Sequence, residues 1–191
     1  MLGRQVPGDG VDCAYMMTRT SPHIASPERP MKLQLFGKMT TFNQVEQGAL
    51  FHFAASNTEY LAMKCWTPSR QAILLLRPGA PSYDGQPGII SGALSAEDHV
   101  LELSDVEIRR SLEPNHTRLA NTAMCDVGDL VLSPGRTCLL VRHGPGTAHV
   151  DVVTGEVVNI ESAPAVVKVW SIVHLRDRKP IVLLRHPSDV A

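Results

Sequence analysis

The stretch that decides the fold is CDVGDLVLSPGRTCLLVRHGPGTAHVDVV, residues 125–153. Short apolar runs alternate there with turn residues, first SPGR at 133–136 and then GPG at 144–146. Pro and Gly favour tight turns because proline presets φ and glycine tolerates positive φ. Apolar runs separated by such turns are typical of antiparallel hairpins. The stretch therefore predicts two successive β-hairpins.

The same plan precedes this stretch. ALFHF at 49–53, the polar turn SNTE at 56–59 and YLAMKCW at 60–66 predict an earlier hairpin. Further along, HVLELSDVEIRR at 99–110 alternates apolar and polar residues, with a slip in phase between Leu103 and Val106. Such a slip predicts a bulge or a sharp bend.

The two halves of the chain resemble each other. Three pairs of residues align around the first strands, CLLVR then falls on YLAMK, and VVKVWSIVHL falls on VLELSDVEIR. The pairs are Gly48 with Gly128, Leu50 with Leu130, and Phe51 with Val131. One interpretation is an internal duplication. The other is that any two segments beginning with a hairpin look alike at this level of detail.

The fold class that these patterns predict is all-β, with small antiparallel β-barrels. Its more specific form is two tandem SH3-like modules. A parallel α/β sheet is disfavoured because its crossovers need a dozen or more residues each. The predicted division is an extended arm at 1–38, a first module at 39–112, a linker at 113–123 and a second module at 124–191. The arm is predicted from TSPHIASPERP and its surroundings, which lack any apolar period.

Composition limits the partners and the compartment. The formal net charge is -1, so no global field attracts the chain to nucleic acid or anionic lipid. No apolar run approaches the roughly 20 residues of a membrane helix, which predicts that the chain does not engage a membrane. The first 20 residues lack the apolar core of a secretory signal. A cytoplasmic origin follows, or a virion location if the chain is phage-encoded.

LLVRHGPG at 139–146 resembles the strand-end motif of the histidine phosphatase and phosphoglycerate mutase family. That resemblance implies that Arg142 binds phosphate and that His143 is phosphorylated. In that family further Arg, acidic and His residues arrive later from an α/β domain, whereas only a short β-like segment follows Gly146 here. The favoured interpretation is therefore a strand leaving into a turn. The prediction is that the chain is not an enzyme, and a phosphohydrolase at Arg142, His143 and Gly144 is the remote alternative.

Metal and cofactor binding are not predicted. Four cysteines, Cys13, Cys65, Cys125 and Cys138, are widely spaced and form no C-x-x-C pair. His143 and His149 flank one turn, but no recognisable zinc motif accompanies them. Sites assembled from distant residues, such as His52 with Cys65 or Cys138 with His174, have no pattern in their favour.

A basic cluster near the C-terminus gives an alternative function. RDRKPIVLLRH at 176–186 collects Arg176, Arg178, Lys179 and Arg185, which could contact a phosphate backbone. Aromatic residues make up only 5% of the chain, too few for a base-stacking platform. Nucleic-acid binding is thus an alternative that is not favoured.

The leading hypothesis is a noncatalytic structural or interaction protein that assembles with copies of itself or within a larger complex. An accessory or decoration subunit of a phage particle is one example, by analogy of architecture alone. The N-terminal arm would lay extended backbone along a sheet edge of a neighbour.

Overall fold

A computed structural model describes residues 37–56, 58–76, 85–111, 113, 116–118, 125–160, 165–176 and 178–187. All of them belong to one compact unit, Gln34–Ala191. Apart from Gly37 and Lys38, the predicted arm lies outside the described residues.

The elements of regular structure with described bounds are short strands and a three-residue 3₁₀ turn, Phe42–Gln44. The strands are β1 Gly37–Thr41, β2 Leu50–Ala55, β3 Thr58–Thr67, β4 Arg70–Leu75, β5 Gly88–Ile90, β6 His99–Leu103, β7 Val106–Arg110, β8 Thr117–Arg118, β9 Leu130–Ser133, β10 Arg136–His143, β11 Gly146–Asp151, β12 Val157–Val158, β13 Ala165–Val167, β14 Trp170–Arg176 and β15 Lys179–His186. The all-β prediction is confirmed.

These strands form two sheets. The larger has the order β1-β6-β2-β3-β4-β5-β10-β9-β13-β8, and β11 and β12 branch from β10. The smaller has the order β15-β14-β7. Neither sheet closes into a barrel within the described strands, so closed barrels and SH3-like modules are not confirmed.

The stretch at 125–153 forms the two predicted hairpins. Leu139 of β10 lies opposite Leu130 of β9, and on the other side Leu140 lies opposite His149 of β11. The predicted bend after Leu103 is a change of sheet, because β6 belongs to the larger sheet and β7 to the smaller. Asp105, at the turning point, has a φ of 52°.

The first half, β1–β7, and the second half, β8–β14, repeat one pattern of pairing. Leu50 lies opposite Met63 as Leu130 lies opposite Leu139. The N–H of Gly48 donates to the carbonyl of Lys64 at 2.9 Å, and the N–H of Gly128 donates to that of Leu140 at 2.8 Å. Both glycines have positive φ, 80° and 101°, which their shared turn requires.

The two halves meet around an approximate two-fold axis. β7 pairs antiparallel with its equivalent, β14, and Ile108 lies opposite Ile172 at the centre. The flanking hydrogen bonds repeat: Ser111 N–H donates to Val169 at 2.9 Å, and Leu175 N–H donates to Asp105 at 2.8 Å. This reciprocity supports the duplication hypothesis over a chance likeness of hairpins.

The alignment of the halves drawn from the sequence was correct for the first strands and wrong for the later ones. The pairing makes Leu139 the equivalent of Met63, so CLLVR falls on AMKCW and not on YLAMK. Val166 is likewise the equivalent of Glu102 and not of Val100. Both errors are two residues, which leaves every side chain on its original face of the sheet.

A central apolar cluster contains residues from both halves, among them Leu50, Met63, Leu130, Leu139 and Ile172. Each half adds an outer cluster, the first around Phe51 and the second around Val131. The predicted module boundaries remain predictions, and the described strands of both predicted modules share one sheet and one central core.

Candidate protein-binding groove

The second half covers the outer edge of β14 with β15. Trp170 of β14 lies opposite His186 of β15, and their rings stack with centroids 5.5 Å apart and an angle of 27° between planes. The Trp170 Nε1–H donates to the carbonyl of Gly128 at 2.8 Å. Gly128 has no side chain because a Cβ there would collide with the His186 ring. In the second half, the edge of β14 is therefore covered by a paired strand, and the ring of His186 packs against Gly128.

In the first half, none of the described strands covers the equivalent edge. Val106 of β7 occupies the position of Trp170, and Gly48 occupies that of Gly128. Among the described strands, β7 pairs only with β14. A groove of about 620 Å³ lies beside it. The groove exists because the Val106 side chain is smaller than that of Trp170 and because no described strand pairs with the outer edge of β7.

The groove has an apolar floor and a charged rim. The floor comes from both halves, chiefly Leu50, Met63, Leu103, Leu130, Leu132, Val152 and Val167. The rim on the β7 side carries Asp105, Glu107 and Arg110. Pockets that bind proteins or peptides commonly combine an apolar interior with polar groups at the margin.

The open edge of β7 offers backbone hydrogen-bonding groups. The backbone bonds from Ser111 to Val169 and from Leu175 to Asp105 show that the N–H and C=O groups of the odd-numbered residues in this segment point towards β14. Alternation along a strand directs the N–H and C=O of Val106, Ile108 and Arg110 to the opposite side. An extended segment placed in the groove could therefore extend the smaller sheet.

The exposed side chains of β7 carry opposite charges on one face. Arg109 contacts Glu107 at 3.1 Å, and the two side chains are 46% and 49% exposed. An exposed pair of this kind contributes little to stability, about 0–1 kcal/mol. Both charges are accessible to a neighbouring strand.

Buried ionic groups distinguish the halves further. In the second half the Lys168 ammonium contacts Asp126 at 2.7 Å and also contacts Asp129, which is buried. Burial opposes the charge, but the two carboxylates outweigh it and raise the pKa of Lys168. Burial lowers the pKa of His186 nearby.

In the first half a buried lysine satisfies backbone carbonyls. Lys64 Nζ donates to the carbonyls of Phe42, Asn43 and Val45 at 3.0, 3.1 and 2.7 Å. Burial lowers the pKa of this amine, and Glu102 partly offsets that effect. Its equivalent in the second half is Leu140, so Lys64 holds the 3₁₀ turn of the first half only.

The predicted phosphate-binding pair lies at the end of β10. Arg142 Nε donates to the Gln86 side chain at 2.9 Å, and the Arg142 N–H donates to the carbonyl of Pro87 at 2.9 Å. His143 is exposed and lies opposite Gly146 at the hairpin turn. The placement at the rim of a hairpin is as predicted, and the remote phosphohydrolase alternative stays a prediction.

The structure does not bring His143 and His149 together. His149 lies opposite Leu140, three positions from His143, or about 10 Å along the strand. Within the described ranges no group of three His, Cys, Asp or Glu side chains is placed to hold a metal ion. Cys65 and Cys138 are buried, and burial raises their pKa values to about 12 and about 11, so both are thiols at neutral pH. Cys13 lies outside the described residues.

Three of the four predicted nucleic-acid residues lie together. Arg176 and Lys179 are opposite each other at the tip of the β14–β15 hairpin, with Arg178 between them in the chain. Arg185 lies opposite Ser171 at the other end, about 20 Å along the strand. Nucleic-acid binding remains a prediction. It applies chiefly to Arg176, Arg178 and Lys179, which lie together at the hairpin tip.

The groove beside β7 was not identified from the sequence. Its sequence signal is weak: VEIRR at 106–110 alternates apolar and charged residues, as many solvated strands do. Finding the groove requires the equivalence of Val106 with Trp170. That equivalence depends on pairings far apart in the chain.

Comparison of this chain with family models, with curated proteins and with solved structures gives no match. No helix in the described part of the chain is long and apolar enough to cross a membrane.

Proposed function

We propose that this chain is a noncatalytic protein-interaction module that binds an extended segment of a protein partner along the open edge of β7, within a larger assembly. The observation that carries the proposal is the pairing of β14 with β15, because the equivalent edge in the first half has the same form and no described strand on it. Strand addition to a sheet edge is a common mode of peptide recognition.

Two properties of the groove support this function. The backbone groups of Val106, Ile108 and Arg110 can supply main-chain hydrogen bonds, which give affinity with little demand on sequence. The apolar floor, about 620 Å³ of space against Leu50 and Leu103, can accept side chains that alternate along the added strand.

The test uses a synthetic peptide with the sequence of β15, KPIVLLRH, as the probe. We expect the full chain to bind this labelled peptide saturably, as measured by fluorescence anisotropy. Arg110→Pro removes one N–H from the open edge, because that N–H does not face β14. The loss of one hydrogen bond should weaken binding about tenfold.

Arg110→Ala is the matched control, since it removes the same side chain and keeps the N–H. We expect it to weaken binding clearly less than Arg110→Pro, because it removes only the charge on the groove rim. Equal weakening by alanine and proline would assign the effect to the side chain and contradict strand addition. Absence of any peptide binding, together with absence of self-association, would also contradict the proposal.

The finer architectural predictions belong to the same proposal. Short antiparallel strands in each half support an SH3-like character for the two modules. A phage accessory or decoration subunit remains one example of the assembly, and a cytoplasmic or virion location accompanies it. The proposed partner class is protein.

A further inference from the structure

We infer that the occupant of the groove is β7 of a second copy of this chain, paired antiparallel across a two-fold axis. This inference rests on the proposed function and names the partner for the same edge. It begins from the sequence of β7, Val-Glu-Ile-Arg-Arg, which is complementary to itself when reversed.

Antiparallel pairing centred on Ile108 creates favourable charge pairs. Glu107 then lies opposite Arg109 of the second copy, and the reciprocal pair follows by symmetry. In this register the Ile108 pair exchanges backbone bonds, which leaves each Glu107–Arg109 pair at the closer spacing of about 4.5 Å between Cα atoms. Opposite charges directly across a strand pair are stabilising, and like charges are destabilising.

The internal β14–β15 pairing shows which positions the second copy would fill. Leu184 lies opposite Ile172, the equivalent of Ile108, so Ile108 of the second copy would take the place that Leu184 takes. His186 lies opposite Trp170, and Arg110 of the second copy would take its place, near Asp105 on the groove rim. An apolar residue therefore meets the apolar centre, and a cation meets the acidic end.

The resulting assembly has a closed form. The two smaller sheets would join into one sheet of six strands, and β15 of each copy would form an outer edge. Pairing of this kind uses the same patch on both copies, so it ends at a dimer and does not propagate into a filament. The edge that is open in one copy would be covered in the dimer, so the β15 peptide would bind there in competition with the second copy.

The test exchanges charges on β7 and measures mass by native mass spectrometry and sedimentation. We expect the unmodified chain to have twice the 20.8 kDa mass of one copy. Glu107→Arg places two arginines against two arginines, and Arg109→Glu places two glutamates against two glutamates. Each variant alone should be monomeric, with self-affinity reduced at least about tenfold.

Mixing the two single variants restores opposite charges at every pair, so we expect a heterodimer containing one copy of each. The double variant Glu107→Arg with Arg109→Glu should form a homodimer again. Glu97→Arg is the matched control because Glu97 is exposed and lies off the strands; it should remain dimeric. Recovery on mixing also shows that the single variants are folded.

Two results would overturn this inference without removing the proposed function. One is a dimer that persists in both single variants, which would place the contact elsewhere. The other is an unmodified chain that is monomeric but binds the β15 peptide with the expected difference between Arg110→Pro and Arg110→Ala. In that second case the proposed function stands and the occupant is a different protein. Failure of both dimerisation and peptide binding removes the proposed function as well.

Discussion

The two halves of the molecule have one pattern of strand pairing and different edges. In the second half Trp170 fills the space beneath β15, whereas in the first half Val106 leaves a space that no described residue fills. The hydrogen bonds around Gly48 and Gly128 agree to within 0.1 Å at 2.9 and 2.8 Å. The backbone scaffold is therefore common to both halves. The side chains at each edge determine whether that edge binds a strand of the same chain or is available to a partner.

The same contrast applies to the polar interior. The first half uses one amine, Lys64, to satisfy three carbonyls in and just after its 3₁₀ turn. The second half pairs Lys168 with Asp126 and Asp129. A buried charge is tolerated only when its hydrogen bonds are satisfied, and each half meets this condition with different partners. Local chemistry has diverged where the backbone has not.

The largest expected effect comes from the residue that separates the two edges. Trp170→Ala removes a buried ring, its stacking on His186 and its bond to Gly128, so we expect a loss of about 4 kcal/mol in the free energy of unfolding. Val106→Ala, at the equivalent position, should cost less than about 1.5 kcal/mol because Val106 is half-buried and borders open space. Urea unfolding measures both. Equal costs would show that the two edges do not differ in packing.

Alanine at the equivalent glycines should give the next largest effect. Both have positive φ, which penalises a Cβ. At Gly48 the new Cβ would also meet the backbone carbonyl of Val153, whereas at Gly128 it would meet the His186 side chain.

Because backbone yields less readily than a side chain, we expect Gly48→Ala to cost about 3 kcal/mol and Gly128→Ala about 1–2 kcal/mol. Thermal or urea unfolding of the two variants ranks them. The reverse order would indicate that the His186 side chain beside Gly128 yields less readily than the Val153 backbone beside Gly48.

The smallest effect is a dependence on pH in the second half. Burial lowers the pKa of His186; Asp129 partly offsets this effect and Lys168 adds to it. The unfolded chain therefore binds the proton first, and stability is complete above the ordinary histidine pKa of about 6.5. Stability falls as the pH decreases from there towards the lower folded-state value.

His186→Phe keeps a ring on Trp170 and removes this titration. We expect its unfolding free energy to fall less steeply between about pH 7 and about pH 5 than that of the unmodified chain. A residual slope should remain, because burial also lowers the pKa values of His52 and His149. Identical slopes would mean that His186 does not contribute.

The sequence predicted the parts of the fold that depend on neighbours in the chain. The turns at 133–136 and 144–146 predicted both hairpins correctly, because glycine and proline act within a few residues. The later alignment of the halves was wrong by two residues. Alternation has a period of two, so it cannot detect such an error.

The candidate groove could not be predicted in the same way. It arises because β7 leaves one sheet at Asp105 and pairs with β14, whose paired residues are 60 to 68 positions away in the chain. Turn residues and apolar alternation report on local geometry, and neither indicates which distant strand becomes a neighbour. The phase slip after Leu103 indicated a bend but not the sheet that β7 joins.

Two crossings between the halves have a consequence for how the chain acquires its structure. The Trp66 N–H bonds to Gly155 of the other half, and the Arg142 N–H bonds to Pro87 in return. Each half therefore makes a short parallel contact with the other. The paired residues are far apart in the chain, so the topology has a high contact order. On the ribosome, residues 37–111 would have to wait for Gly155 and then for β14, the partner of β7, before their native contacts could be complete, so synthesis of this protein leaves a long interval in which chaperones can act.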